Sequence, residues 1–222
     1  MKIEDLIGLE VISSDARVVG DIDGVGIDVS TWTVPALKVG LKKGIEETIG
    51  VKKPLFGPAI LYLKTDAIES ISDMITLRQD MDSLPESIME SETEMPTAGS
   101  VVNTRVIAKG GRLVGYLDNF VFNTDENWTI PNILVRLDKS VIEDLDMKKS
   151  TFGSPVIKVL TDDVKTIGDM VILKVTVAEL RDYLNKKPRK RMEETEEEVP
   201  TPVTEFKEDA EQEEADRQYE NL

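Results

Sequence analysis

The sequence contains neither cysteine nor histidine. The first absence excludes disulfides and thiolate nucleophiles, and the second removes the commonest metal ligand and the side chain that titrates near neutral pH. Zinc sites, catalytic triads and imidazole acid-base chemistry lose their usual groups, and no cofactor-binding fingerprint takes their place. GDIDGVG has the wrong spacing for a dinucleotide loop, and no Walker sequence is present. Aromatic residues are few, 5% of 222, with two tryptophans. No apolar run approaches the roughly 18 to 20 residues that span a bilayer, so no transmembrane segment is expected. The opening MKIEDLIGLEVISSD lacks the basic-then-apolar pattern of a secretory signal. A cytoplasmic location is the resulting expectation. Positive charge is also short, with 27 Lys and Arg against 43 Asp and Glu and a formal net charge of -16. Residues 1–185 carry -10 of this and residues 186–222 carry -6. Both parts repel phosphate backbones, so no nucleic-acid partner is expected.

What the chain does contain is a packed-core composition, 40% hydrophobic, and an internal repeat. EVISSDARVVGDID (Glu10 to Asp23) aligns with RVIAKGGRLVGYLD (Arg105 to Asp118) at an offset of 95. WTVPALKVGL (Trp32 to Leu41) then aligns with WTIPNILVRL (Trp128 to Leu137) at an offset of 96. That offset holds through KKPLFG over KKSTFG and through TDAIESISDMITL over TDDVKTIGDMVIL. About a third of the aligned positions are identical, which marks a duplication. The boundaries read as 1–78 for the first copy, 79–98 for an acidic linker, 99–187 for the second copy and 188–222 for a charged, disordered tail. The linker holds six acids, two prolines and no Lys or Arg, which favours extension, with a short helix starting near Ser83.

Within each copy the periodicity is that of strands. Val18, Val19, Ile22, Val25, Ile27 and Val29 form a largely alternating run interrupted by Gly20, Gly24 and Gly26, where bends or bulges are expected. Thr33 to Leu41 reads as a third strand with Pro35 near its start, and two more lie near Ala59 to Leu63 and Met74 to Leu77. IEETIGVKKP and VIEDLDMKKS read as helical turns. Five or six short bent strands fit a small closed β-barrel, since closure removes exposed edges. In the echo KKPLFG and KKSTFG, Phe56 and Phe152 are expected to plug each barrel, with Gly57 and Gly153 turning the chain. TVAELRDYLNKK after the second copy predicts a short amphipathic helix capped by Thr176 and Glu179.

Candidate chemistry is sparse. DIDG (Asp21 to Gly24) has the look of a calcium-loop fragment but lacks the remaining oxygen ligands, so a bend in a strand is the preferred reading. The carboxylates of TDAIE and TDD are assigned to turns, where Thr and Asp bond local backbone. Trp32 and Trp128 occupy matching positions, either as core or rim residues or as partner contacts. In the tail, the basic cluster of Lys186, Lys187, Arg189, Lys190 and Arg191, followed by an acidic stretch with Phe206, reads as a solubilising segment or as a tether. As a tether it would meet anionic lipid or an acidic partner and fold on binding.

The blocks LEVISSDARVVGDIDGVGID, ALKVGL, KKPLFGP and SISDMITL, with EDLDMKK through IGDMVIL in the second copy, resemble the PRC-barrel domain, and its archaeal variant most. The resemblance covers roughly Ile3 to Leu77 and Ser100 to Leu184. It implies two tandem PRC-type barrels and a binding module without catalytic residues. It further implies an adaptor of archaeal cell division, with SepF, FtsZ-associated proteins, another PRC-barrel protein or a second copy of this chain as partner, and a place at the division site. A second branch of the family implies a ribosome-maturation or RNA-processing factor, which the acidic balance disfavours. A third reading, an enzyme with carboxylates at the junction of the copies, requires a concave polar pocket there.

Overall fold

The computed structural model describes residues 1–52, 54–89, 95–125, 127–147 and 153–185. Met1–Lys186 forms one compact unit. It is mainly β, and each copy contributes a six-stranded sheet. The first holds β1 (Glu10–Ile12), β2 (Val18–Val25), β3 (Ala36–Leu41), β4 (Ile60–Lys64), β5 (Ile68–Ile71) and β6 (Met74–Leu77). The second holds β7 (Arg105–Ile107), β8 (Leu113–Asn123), β9 (Thr129–Leu137), β10 (Val156–Leu160), β11 (Val164–Ile167) and β12 (Met170–Leu173). Strand order is β4-β3-β2-β1-β6-β5 and, identically, β10-β9-β8-β7-β12-β11. The duplication in sequence is a duplication in topology.

Each sheet is rolled by its own connectivity. Its two edge strands, β4 and β5 or β10 and β11, are consecutive in the chain, joined by the 3-10 turns Thr65–Ala67 and Thr161–Asp163. Six strands laid flat would set their edges roughly 24 Å apart, whereas the four residue steps from Lys64 to Ile68 reach at most about 14 Å. The sheet therefore has to curl. No hydrogen-bonded ladder joins the two edges among the described residues, so the expected closed barrel is corrected to a rolled sheet tied by a turn. Thr65 secures the tie, its hydroxyl donating to the Val34 carbonyl at 2.8 Å and its N–H to the Pro35 carbonyl at 3.1 Å. The Thr161 hydroxyl does the same to the Pro131 carbonyl at 3.2 Å.

The long second strand supplies the bend. Register shifts between Ile22 and Gly24 in β2 and between Leu117 and Asn119 in β8 place a bulge at the same point in both copies. Gly20 and its counterpart Gly115 lie where the partner strand crosses so closely that an added Cβ would run into the Gly40 or Arg136 carbonyl. Inward residues of each rolled sheet, such as Val11, Val39, Leu63 and Ile75, or Val106, Val135, Val159 and Val171, are fully buried. The helical turns are α1 (Ile45–Thr48), α2 (Ala98–Val101) and α3 (Lys139–Asp144), and the Asp138 carboxylate caps α3 by accepting from the Ser140 N–H at 2.9 Å.

Two further expectations change. Phe56 does not plug the first barrel: it is 92% exposed and its neighbour Leu55 95%, while Phe152 lies outside the described residues. Gly57 and Gly153 do turn the chain, with φ of 81° and 74°. The plugs are Leu84 and Leu180, equivalent by the offset of 96 and each wholly buried. Leu180 sits after the capping box, in which the Thr176 N–H donates to Glu179 Oε2 at 2.7 Å, just before α4 (Arg181–Asn185). Leu84 opens the 3-10 turn Leu84–Ser87, next to the expected start at Ser83. The beginning of the acidic linker is thus the counterpart of the closing helix, and it is packed rather than extended. Met81 is buried, and Met89 donates its N–H to the Tyr62 carbonyl of β4 at 2.8 Å. Fully burying Met81 and Leu84 outweighs the charge repulsion that favours extension, because each apolar side chain contributes about 1.5 to 3 kcal/mol.

Candidate binding surfaces around the seam

The two tryptophans meet at the seam between the copies. Asp28 begins the turn before Trp32: its carboxylate accepts from the Ser30 N–H at 2.8 Å, the Ser30 hydroxyl at 2.6 Å and the Thr31 hydroxyl at 2.9 Å. The Ser30 bonds hold this carboxyl below its usual range. Its equivalent, Asn123, accepts from the Asp125 N–H at 3.3 Å. These turns drive both tryptophans into the left-handed region, with φ of 54° at Trp32 and 49° at Trp128, a conformation uncommon for a bulky residue. Strain of this kind persists where surrounding contacts impose it.

Those contacts are reciprocal. The Val34 N–H donates to the Trp128 carbonyl at 2.8 Å, and the equivalent Ile130 N–H donates to the Trp32 carbonyl at 2.7 Å. Thr33 and Thr129 pair between them as an antiparallel bridge. A second reciprocal pair lies further along the seam. The Phe122 N–H donates to the Met1 carbonyl at 2.8 Å, and the Ile27 N–H donates to the Pro96 carbonyl at 2.9 Å. The segment before each copy therefore docks on the long strand of the other copy. Asn119 reinforces one arm, accepting from the Ile3 N–H at 3.2 Å and donating to the Glu4 carboxylate. Glu4 is held below its usual range, first by its own backbone and then by Asn119. The copies are joined as a pseudo-twofold pair with exchanged arms.

Trp128 is 7% exposed, and Trp32 is half-buried against the core. This fits the core or rim reading, with the addition that both tryptophans line the contact of one copy with the other. Lys186, Lys187, Arg189, Lys190, Arg191 and Phe206 lie outside the described residues. Asp21 and Asp23 of the calcium-like fragment are engaged by Lys42 at 2.7 Å and Lys38 at 3.3 Å.

Two further surfaces are present, and only the second was not anticipated. A polar groove of about 660 Å³ crosses the seam, walled by β5, by Thr124, Asp125, Asn127 and Trp128, and by Met1. Asp66, Glu69 and Asp125 line it together with Arg78. It is the concave polar space that the enzymatic reading requires, furnished with carboxylates and one guanidinium. The other surface is the Leu55–Phe56 tip, two adjacent bulky apolar side chains in water. Between Thr48 and Thr65 the chain has three lysines and no acid, in a protein that is otherwise strongly acidic.

No helix among the described residues is long and apolar enough to cross a membrane. No protein-family model matches the chain, and no curated protein is significantly similar to it.

Proposed function

We propose that this protein is a non-enzymatic interaction module, built from two PRC-type domains that are rolled rather than closed, and that it serves as a cytoplasmic adaptor in archaeal cell division. The exposed Leu55–Phe56 tip carries this reading. Exposed apolar side chains scattered singly are ordinary, whereas two adjacent ones held out on a turn suit a partner's pocket. The family resemblance supplies the biological setting, with SepF, FtsZ-associated proteins or another PRC-barrel protein as partners. The copies already satisfy one another across the seam, which leaves their outer surfaces to bind elsewhere, a second copy of this chain included.

The test is retention of purified SepF and FtsZ on the immobilised protein, with Phe56→Ala in parallel. Capture of SepF that the substitution weakens supports the proposal. Capture of neither protein removes the cell-division setting. The junction groove favours the enzymatic reading as the second possibility. If Asp66→Asn, Glu69→Gln and Asp125→Asn leave partner capture unchanged, the groove has no part in adaptor function.

A further inference from the structure

The two copies differ at one sheet edge, and among the described residues that edge is left partly unpaired in the second copy. In copy 1 the edge of β4 is covered by the chain that follows the Leu84 plug. Leu63 and Ile88 form an antiparallel bridge, and the Met89 N–H donates to the Tyr62 carbonyl at 2.8 Å. Ile88 also packs against the core. In copy 2 the equivalent edge is β10, and the residues equivalent to Ile88 and Met89 are Leu184 and Asn185. Both belong to α4 instead. The helix is pinned away from strand pairing by Arg181, which donates to the Asp144 carbonyl at 2.6 Å and to Asp146 at 3.0 Å.

The hydrogen-bond parity of β10 shows what is left open. The Leu137 N–H donates to the Pro155 carbonyl at 2.9 Å, so Ile157 and Val159 turn their peptide groups towards β9. Val156, Lys158 and Leu160 turn theirs to the free edge. Copy 1 has the same parity, the Leu41 N–H donating to the Ala59 carbonyl at 2.8 Å, and there Tyr62 faces the covering segment. Leu160 is bonded to Tyr183 through its backbone. Among the described residues no partner meets the outward peptide groups of Val156 and Lys158. Their side chains follow suit, Val156 being 46% and Leu160 41% exposed.

We propose that the β10 edge is a strand-acceptor site for an extended acidic peptide with adjacent aliphatic residues at its centre. Copy 1 defines the ligand, since its covering stretch, Glu86 to Met89, reads ESIM and runs on in sequence into ESETE. Charge favours the same chemistry in copy 2. From Met147 to Leu160 there are three lysines and no acid, and Lys158 stands where copy 1 has Tyr62. A second β10 is the poorer occupant, because full antiparallel overlap sets Lys158 against Lys158, and like charges directly opposite are destabilising. Main-chain bonding would provide affinity, and the aliphatic pair and flanking acids would provide selection.

This inference rests on the chain being a binding module, and not on its placement in cell division. The probe is a fluorescein-labelled peptide of residues 82–94, DSLPESIMESETE, titrated into the full chain and followed by anisotropy. Copy 1 cannot take it, since its edge already holds Ile88 and Met89 covalently at high effective concentration. Saturable binding is expected, with main-chain bonds supplying the affinity. Lys158→Pro removes only the outward N–H and leaves the β9 ladder intact, so binding should fall about tenfold or more with the circular dichroism spectrum unchanged. Lys158→Glu should weaken binding, and a peptide with serine at positions 88 and 89 should not bind. Absence of peptide binding overturns the proposal, as does equal binding by wild type and both Lys158 variants. So does slow amide exchange at Lys158 before peptide is added, because the edge would already be filled. Peptide binding without SepF capture leaves this site standing while removing the cell-division setting.

Discussion

Replacing Leu84 or Leu180 with alanine should destabilise the fold far more than replacing the conspicuous Phe56. Both leucines are wholly buried in the core, and each follows the last strand of its copy. Truncating a fully buried leucine removes its transfer free energy and leaves a cavity that the surroundings only partly refill, a loss of about 3 to 4 kcal/mol. For a cooperative unit of this size, each kcal/mol corresponds to about 2 to 4 °C in Tm, so each variant should melt roughly 6 to 16 °C lower. Phe56 is 92% exposed and has little packing to lose, so Phe56→Ala should fall within about 0.5 kcal/mol of wild type. Urea titrations with a common m-value, read by tryptophan fluorescence and by circular dichroism, measure all three. A loss above about 1 kcal/mol for Phe56→Ala, with the leucine variants near wild type, would refute the assignment of the plugs.

The seam should respond unequally to its tryptophans: Trp128→Ala, at 7% exposure, should cost about 3 to 5 kcal/mol, and the half-buried Trp32 less. Equal losses in urea denaturation would contradict the burial difference. Gly20→Ala should be poorly tolerated because its Cβ meets the Gly40 carbonyl, whereas Gly40→Ala has 3.7 Å of clearance and should be mild; thermal melts of the pair decide it. Acid should loosen the fold through Glu4, Asp28, Asp80, Asp138 and Glu179, all held below their usual values, chiefly by local hydrogen bonds. A lowered folded pKa gives stability that is present above the ordinary values of 3.8 and 4.5 and is lost as pH falls through the folded ones. A melting temperature flat from pH 6 to pH 3 would sink that reasoning. Tyr183, pushed upward by burial and by its bond to Asp163, has the opposite sign, so its contribution should be lost as pH rises above the ordinary 10.0.

Much of this architecture was legible because strands advertise themselves by alternation, and the duplication let each copy check the other. Gly20 and Gly115, the Thr65 and Thr161 turns and the Thr176 cap each rest on local chemistry that sequence carries directly. β5 was not separated from its surroundings, being four residues long between two turns. The plug was misassigned because a Phe-Gly in a repeated loop and a leucine in an acidic stretch are weighed by composition, whereas burial depends on where the chain folds back. Charge and proline argued for an extended linker, yet the offset that aligned the copies continues through Leu84 and Leu180 and could have revealed the packed segment. The seam was less accessible still. Its reciprocal bonds are made by backbone groups, which carry no residue signature.

Pseudo-symmetry also constrains where a partner can act. Two equivalent copies that exchange arms and share Trp turns satisfy each other along the seam, so the bonding groups there are already committed. Whatever distinguishes one copy from the other is free of that constraint. The sharpest such difference is the fate of the chain after each plug. Pro85 and the short turn Leu84–Ser87 release Ile88 and Met89 to cover β4, while Arg181 and Tyr183 hold the equivalent residues in α4 and leave the outward peptide groups of Val156 and Lys158 without a partner among the described residues. An unpaired edge in a folded protein is a liability for aggregation unless it is charged, short or used. β10 is short and carries one lysine at its centre, which guards against self-pairing and at the same time selects an acidic strand. The same residue thus accounts for why the edge can remain open and for what it would accept.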